Sequence, residues 1–105
     1  MRRPEIVNSV KDVFHRVAPP GATAILYGSE ARGDARPDSD IDVLVLLDKE
    51  KISLQDRQDI TYPIYEIELE TDTVISVKFF SKQAWDGEMR ITPFYHNVTK
   101  EGIVL

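Results

Sequence analysis

Gly28-Ser29-Glu30-Ala31-Arg32-Gly33-Asp34 and, after a short polar loop, Ser39-Asp40-Ile41-Asp42-Val43-Leu44-Val45-Leu46-Leu47 form the stretch on which the fold turns. Ile41–Leu47 is apolar at every position except Asp42, the pattern of a central strand covered on both faces. Ala22–Tyr27, just before the stretch, is a shorter apolar run with strand character. Gly28–Gly33 reads as a tight turn into a short helix, and Asp34–Ser39, holding Pro37, as the loop that leads back into the sheet.

Working outward, Pro4–Val17 predicts a first helix. Ile6, Val7, Val10, Val13, Phe14 and Val17 recur at helical spacing, Pro4 suits a first turn, and Pro19-Pro20-Gly21 ends the element. Ser53–Glu70 admits two readings. Alternation over Tyr65–Glu70 fits a strand, whereas Ile60, Ile64 and Ile67 fit one face of a helix ending near Asp72. Segment length and a capping hydroxyl at Ser53 favour the helix, with Pro63 expected to bend or interrupt it. Thr73–Phe80 is β-branched and aromatic and reads as a third strand; Ser81 caps a helix through Glu88, and Pro93–Lys100 forms a last helix closed by Gly102. The order α-β-α-β-α-β-α predicts an α/β (α+β) fold, a small sheet flanked by helices, as a single domain over residues 1–105.

Composition removes several functional classes. Among 105 residues, 13 Lys and Arg face 18 Asp and Glu, a net charge of −5 that disfavours direct binding to nucleic acid or an anionic membrane. The absence of Cys excludes disulfide scaffolds, thiol catalysis and thiolate zinc sites, and two histidines, His15 and His96, are too few for a His-rich metal centre. The longest apolar run, near Ile41–Leu47, is far too short to span a bilayer. Met1-Arg2-Arg3-Pro4 has no apolar stretch behind it and is no secretory signal, which sets the cytoplasm as the expected location.

Chemistry concentrates in the opening stretch. Asp40 and Asp42 stand two apart at the start of a strand, so their carboxylates are expected on one face. Two adjacent like charges are unfavourable unless a cation lies between them, and Mg²⁺, which takes one or two carboxylates plus phosphate and water oxygens, meets that need. Gly28 directly after a strand lets backbone approach a ligand closely, and Ser29 would begin a helix whose free N–H groups favour phosphate. Arg32, one turn on, could reach the same anion or a neighbouring acid. A Gly-Ser turn alone, or an Asp-x-Asp alone, is ordinary surface structure. Together, one short helix apart, they describe a site for a nucleotide and Mg²⁺. Asp34, Arg36 and Asp38 read as loop solvation, His15 as surface or packing, Tyr27 as structural, Lys78 as facing solvent or the cleft, and Trp85, Phe94 and Tyr95 as core or partner contact.

Gly28-Ser29-x-Ala31-Arg32-Gly33 followed by Ser39-Asp40-Ile41-Asp42 resembles the signature of the minimal nucleotidyltransferases of the DNA polymerase beta superfamily, closely over Ala22–Leu47. Pro93-Phe94-Tyr95-x-Asn97-Val98 and Glu101-Gly102-Ile103 also look like the tail of small bacterial members. The resemblance implies a mixed sheet of the nucleotidyltransferase fold and transfer of a nucleoside monophosphate, AMP from ATP or its equivalent from another NTP, to a hydroxyl. It implies two Mg²⁺ ions with Asp40 and Asp42 as catalytic metal ligands, Gly28, Ser29, Arg32 and Ser39 at the nucleotide, and a helical HEPN-type partner in a toxin–antitoxin pair. It leaves a homo-oligomer open.

The family's third carboxylate usually lies on the strand after the long helix, and the matching position here is Ser76. Asp72 shares its strand parity but stands four residues away, roughly 13 Å along an extended chain, too far to share an ion. Glu66, Glu68 and Glu70 could serve only from a strand; on a helix they form a solvated face. The alternative implied is a catalytically impaired nucleotide-binding module that neutralises its helical partner by docking.

Overall fold

The computed structural model describes residues 2–105. Helix α1 (Pro4–Val17) opens on its proline and buries Val7, Val10 and Phe14. Strand β1 (Thr23–Tyr27) leads into α2 (Gly28–Arg32), which Gly33 ends in the left-handed region at φ 86°. Strand β2 (Ile41–Leu47) is followed by α3 (Leu54–Thr71), which buries Ile60, Ile64 and Ile67. The fold continues through β3 (Ile75–Ser81), α4 (Lys82–Asp86), a 3₁₀ turn (Glu88–Ile91), α5 (Pro93–Glu101) and β4 (Ile103–Val104).

The strands form one sheet in the order β3-β2-β1-β4. β1 runs antiparallel to both β2 and β4, while β2 and β3 are parallel. The sheet is therefore mixed, as expected of the nucleotidyltransferase fold. Alternation sends Ala24, Leu26, Val43, Val45 and Ile75 to one face, where α1 and α3 cover them. Tyr27, Leu44, Leu46 and Phe80 point to the other, against Trp85, Phe94 and Val98. With helices on both faces β2 is almost wholly buried, which is why its sequence is a continuous apolar run.

Four expectations need correcting. First, α3 runs unbroken through Pro63. Packing of its isoleucines, worth about 2 kcal/mol each when fully buried, offsets one missing backbone hydrogen bond. Its start is the anticipated cap in reciprocal form: Ser53 Oγ accepts from Asp56 N at 3.1 Å, and Asp56 Oδ2 accepts from Ser53 N at 2.9 Å. Second, the helix capped by Ser81 ends at Asp86, because the chain breaks at Gly87 and tightens into the 3₁₀ turn. Third, Thr73 and Val74 precede β3 instead of belonging to it: Asp72 ends α3 at φ 52°, and Glu68 Oε1 takes the Ile75 N–H at 2.9 Å. Fourth, β4 adds a strand after the last helix, its exposed Val104 and Ile103 opposite Ile25 and Leu26.

Candidate active site

The site is built where β1 ends and β2 begins. Antiparallel register sets Tyr27 opposite Asp42, so the residue after Tyr27 must pass over that carboxylate. Gly28 does so at φ 76°, and a Cβ placed there would stand 2.5 Å from Asp42 Oδ2. Glycine is thus required twice, by the backbone conformation and by the approach. Beyond it Ser29 is half-buried, and its carbonyl accepts from Gly33 N at 3.0 Å and Asp34 N at 3.1 Å, which rounds off the short helix.

Asp40 is exposed just ahead of β2, and Asp42 is half-buried within it. Burial pushes the Asp42 carboxyl above the usual carboxylate range; Asp40 adds to this, while Lys78 and Arg32 oppose it. Parallel register sets Ser76 beside Asp42, and the Ser76 hydroxyl makes a long 3.4 Å hydrogen bond to Asp40 Oδ2. The two acids and the serine therefore gather at one end of the sheet. Glu66, Glu68 and Glu70 lie on α3, and Asp72 caps it.

Ser39 is half-buried, and its Oγ accepts from Arg36 N at 3.0 Å, shaping the loop before Asp40. Arg32 takes the second of its two anticipated partners, a neighbouring acid: it donates to Asp34 at 3.2 Å and to Glu101 at 3.0 Å, tying α2 to α5. Lys78 is exposed on the Ser76 side of β3, with its ammonium 4.9 Å from the Phe94 ring centroid. The Tyr27 hydroxyl is buried without a partner among the described residues, and burial, aided by Asp42, pushes the phenol up to about 12.

The residue that sequence reasoning passed over is Glu30. It is completely buried and accepts from Arg2 N at 2.5 Å, Arg3 N at 2.9 Å and Arg3 Nε at 2.7 Å. These donors outweigh burial and hold its carboxyl below the ordinary glutamate value. Its partners lie 27 and 28 residues away, so no local pattern announces it.

Among the described residues no group of three or more His, Cys, Asp or Glu side chains could enclose a metal ion. What the site offers is two carboxylates and a hydroxyl at an open sheet end. That set suits Mg²⁺ shared with phosphate oxygens, because such an ion needs only one or two protein carboxylates. The crowding of Asp42 by Asp40 points the same way, since a cation between them would relieve it.

A family model of the nucleotidyltransferase domain matches residues 5–97. The chain belongs to that family, and it is a nucleotidyltransferase of the minimal kind. Over 78 residues it is 37% identical to a Methanocaldococcus jannaschii protein named as a candidate protein adenylyltransferase, covering 74% of this chain and 71% of the relative. A crystal structure described as a toxin–antitoxin with AMP-PNP superposes with a TM-score of 0.61 at 17% identity, over 92% of this chain and 69% of the other, a likeness of fold. No helix among the described residues is long and apolar enough to cross a membrane.

Proposed function

We propose that the chain, as a single minimal nucleotidyltransferase domain over residues 1–105 working in the cytoplasm, transfers AMP from ATP to a hydroxyl on a partner protein. The observation that carries this reading is the seating of the Gly28 backbone against Asp42, which joins a polyphosphate bend to a carboxylate pair. Family membership, the relative's name and the toxin–antitoxin neighbour support it, and the partner we infer is a helical HEPN-type toxin.

Gly28 and Ser29 hold the triphosphate, and Ser39 shapes the approach to Asp40. Arg32 steadies the bend through Asp34 and Glu101. Asp40 and Asp42 would hold Mg²⁺, two ions by resemblance to the family, which would supply neutralisation of phosphate charge. The acceptor oxygen bonds to the α-phosphorus, the bond to pyrophosphate breaks, and the hydroxyl proton leaves to solvent. Most of the rate enhancement then comes from positioning and charge, which an open sheet end can supply to a protein acceptor.

One observation favours a second reading. Ser76 stands beside Asp42 where the family carries its third acid, and a neutral hydroxyl neither holds a cation strongly nor takes a proton. In that reading ATP–Mg²⁺ still binds, and the domain neutralises its partner by docking. Titration calorimetry of ATP with and without Mg²⁺ tests both; no metal-dependent heat at high ligand would remove them together. Incubation with α-labelled ATP and the HEPN-type protein then separates them. Label transfer abolished by Asp42→Asn, and raised at least tenfold by Ser76→Asp, supports the enzyme. Intact ATP binding without transfer from either protein supports the module.

A further inference from the structure

Three arginines converge beside α2 without a carboxylate to answer them all. A cavity of about 320 Å³ is lined by Arg2, Arg3, Ala35, Arg36 and Pro37, and neither Asp40 nor Asp42 lines it. The Arg3 side chain is only 13% exposed. Its Nε is spent on Glu30, yet both Nη atoms are buried with no partner among the described residues. Arg2 donates its Nε to Gly33 O at 3.3 Å. Only the Arg36 backbone is engaged, with Ser39, and among the described residues its guanidinium pairs with no acid. Glu30, the nearby acid, is already saturated by three donors.

A guanidinium whose N–H groups are buried and unmatched is a standing cost, and an acceptor at that position would relieve it. Here the convergence is notable because the chain as a whole carries a net charge of −5. We infer that Arg2, Arg3 and Arg36 form a binding site for a phosphate-class dianion, separate from the nucleotide site. The match is chemical. Neither Arg2 nor Arg36 has an acid partner among the described residues, and planar N–H forks fit tetrahedral phosphate oxygens bidentately. Ala35, 2% exposed, and Pro37 supply an apolar wall that strengthens such contacts by excluding water. The dianion is either free phosphate or the phosphate group of a small monoester.

The test is titration calorimetry in magnesium-free buffer with EDTA, using inorganic phosphate in one arm and AMP in the other. Arg36→Ala and Arg2→Ala are the informative variants, since removing Arg3 would strand Glu30 and endanger folding. Saturable phosphate binding is expected, weakened about tenfold by Arg36→Ala and unchanged by Asp42→Asn. Equal affinity for AMP identifies the bare phosphate group as the ligand, and tighter AMP binding in the Asp42→Asn background identifies the monoester. The inference is overturned if neither probe binds, if both arginine variants bind like the parent protein, or if Asp42→Asn abolishes binding along with the nucleotide.

Discussion

Two acids flank the short helix α2 and have opposite fates. Glu30, inside α2, is fully buried, accepts three hydrogen bonds and is held ionised by them. Asp42, beneath the Gly28 bend, keeps partial access to solvent, is crowded by Asp40 and resists ionisation. The first is an acid used to hold the molecule together. The second is only partly offset by Lys78 and Arg32, and a cation between it and Asp40 would relieve the rest. Burial alone therefore does not set the charge state of these two carboxylates; the count of donors around each does.

That contrast can be broken in order of expected effect. Glu30→Ala should cost about 3–5 kcal/mol in a urea titration, because it strands the Arg3 guanidinium in the interior. A loss below about 1 kcal/mol would show that the pair does not hold α2. Gly28→Ala comes next, at about 1–3 kcal/mol, since it combines a left-handed backbone with a Cβ in contact with Asp42 Oδ2. It should also weaken ATP binding more than tenfold by calorimetry, and retention of full affinity would detach the bend from the site.

Asp42→Asn should act in the opposite direction from Glu30→Ala, raising metal-free stability by about 0.5 kcal/mol while removing the Mg²⁺-dependent heat of ATP binding. The signs follow from proton linkage. The Asp42 value is raised in the folded state, so its contribution becomes less favourable as pH climbs above 3.8; the Glu30 value is lowered, so its contribution is present above 4.5 and lost on acidification. A metal-free Asp42→Asn protein less stable than the parent at neutral pH would refute the assignment of crowding.

Asp56 gives the smallest effect and a useful third case. Lys49 and the Ser53 backbone pull its carboxyl from 3.8 down to about 2. Its share of stability should disappear as pH falls from about 4 to about 2, and thermal melts of Asp56→Asn should show that part of the acid limb flattened.

Much of this architecture was legible in the sequence wherever residue type and burial agree locally. Pro4 and the stripe of Val7, Val10 and Phe14 gave α1 its observed limits, and the apolar run of β2 did the same for Ile41–Leu47. Ser53 settled the ambiguous segment as a helix because a cap is a short-range signal. Ser76 is singled out by the family's pattern of acids, and its register beside Asp42 comes from pairing between strands 34 positions apart, which no local signal carries. Other features depend on partners far away in the chain. Glu30 reads as an ordinary helical glutamate until Arg2 and Arg3 fold against it. Arg32 has two suitable acids nearby in space, one of them 69 residues distant. Two-residue β4, exposed at both positions, is too short for its apolar pair to set a strand period.

The single turn of α2 is anchored from both directions: Arg2 and Arg3 grip it through Glu30, and Glu101 grips it through Arg32. The helix that follows Gly28 is thus held by contacts 27 to 69 residues apart in the sequence. Loosening the Arg32–Glu101 anchor, by a fusion that drags on α5, would blur the Gly28–Ser29 bend while leaving the central strands standing. Ligand affinity would then be a more sensitive gauge of integrity for this molecule than any melting curve.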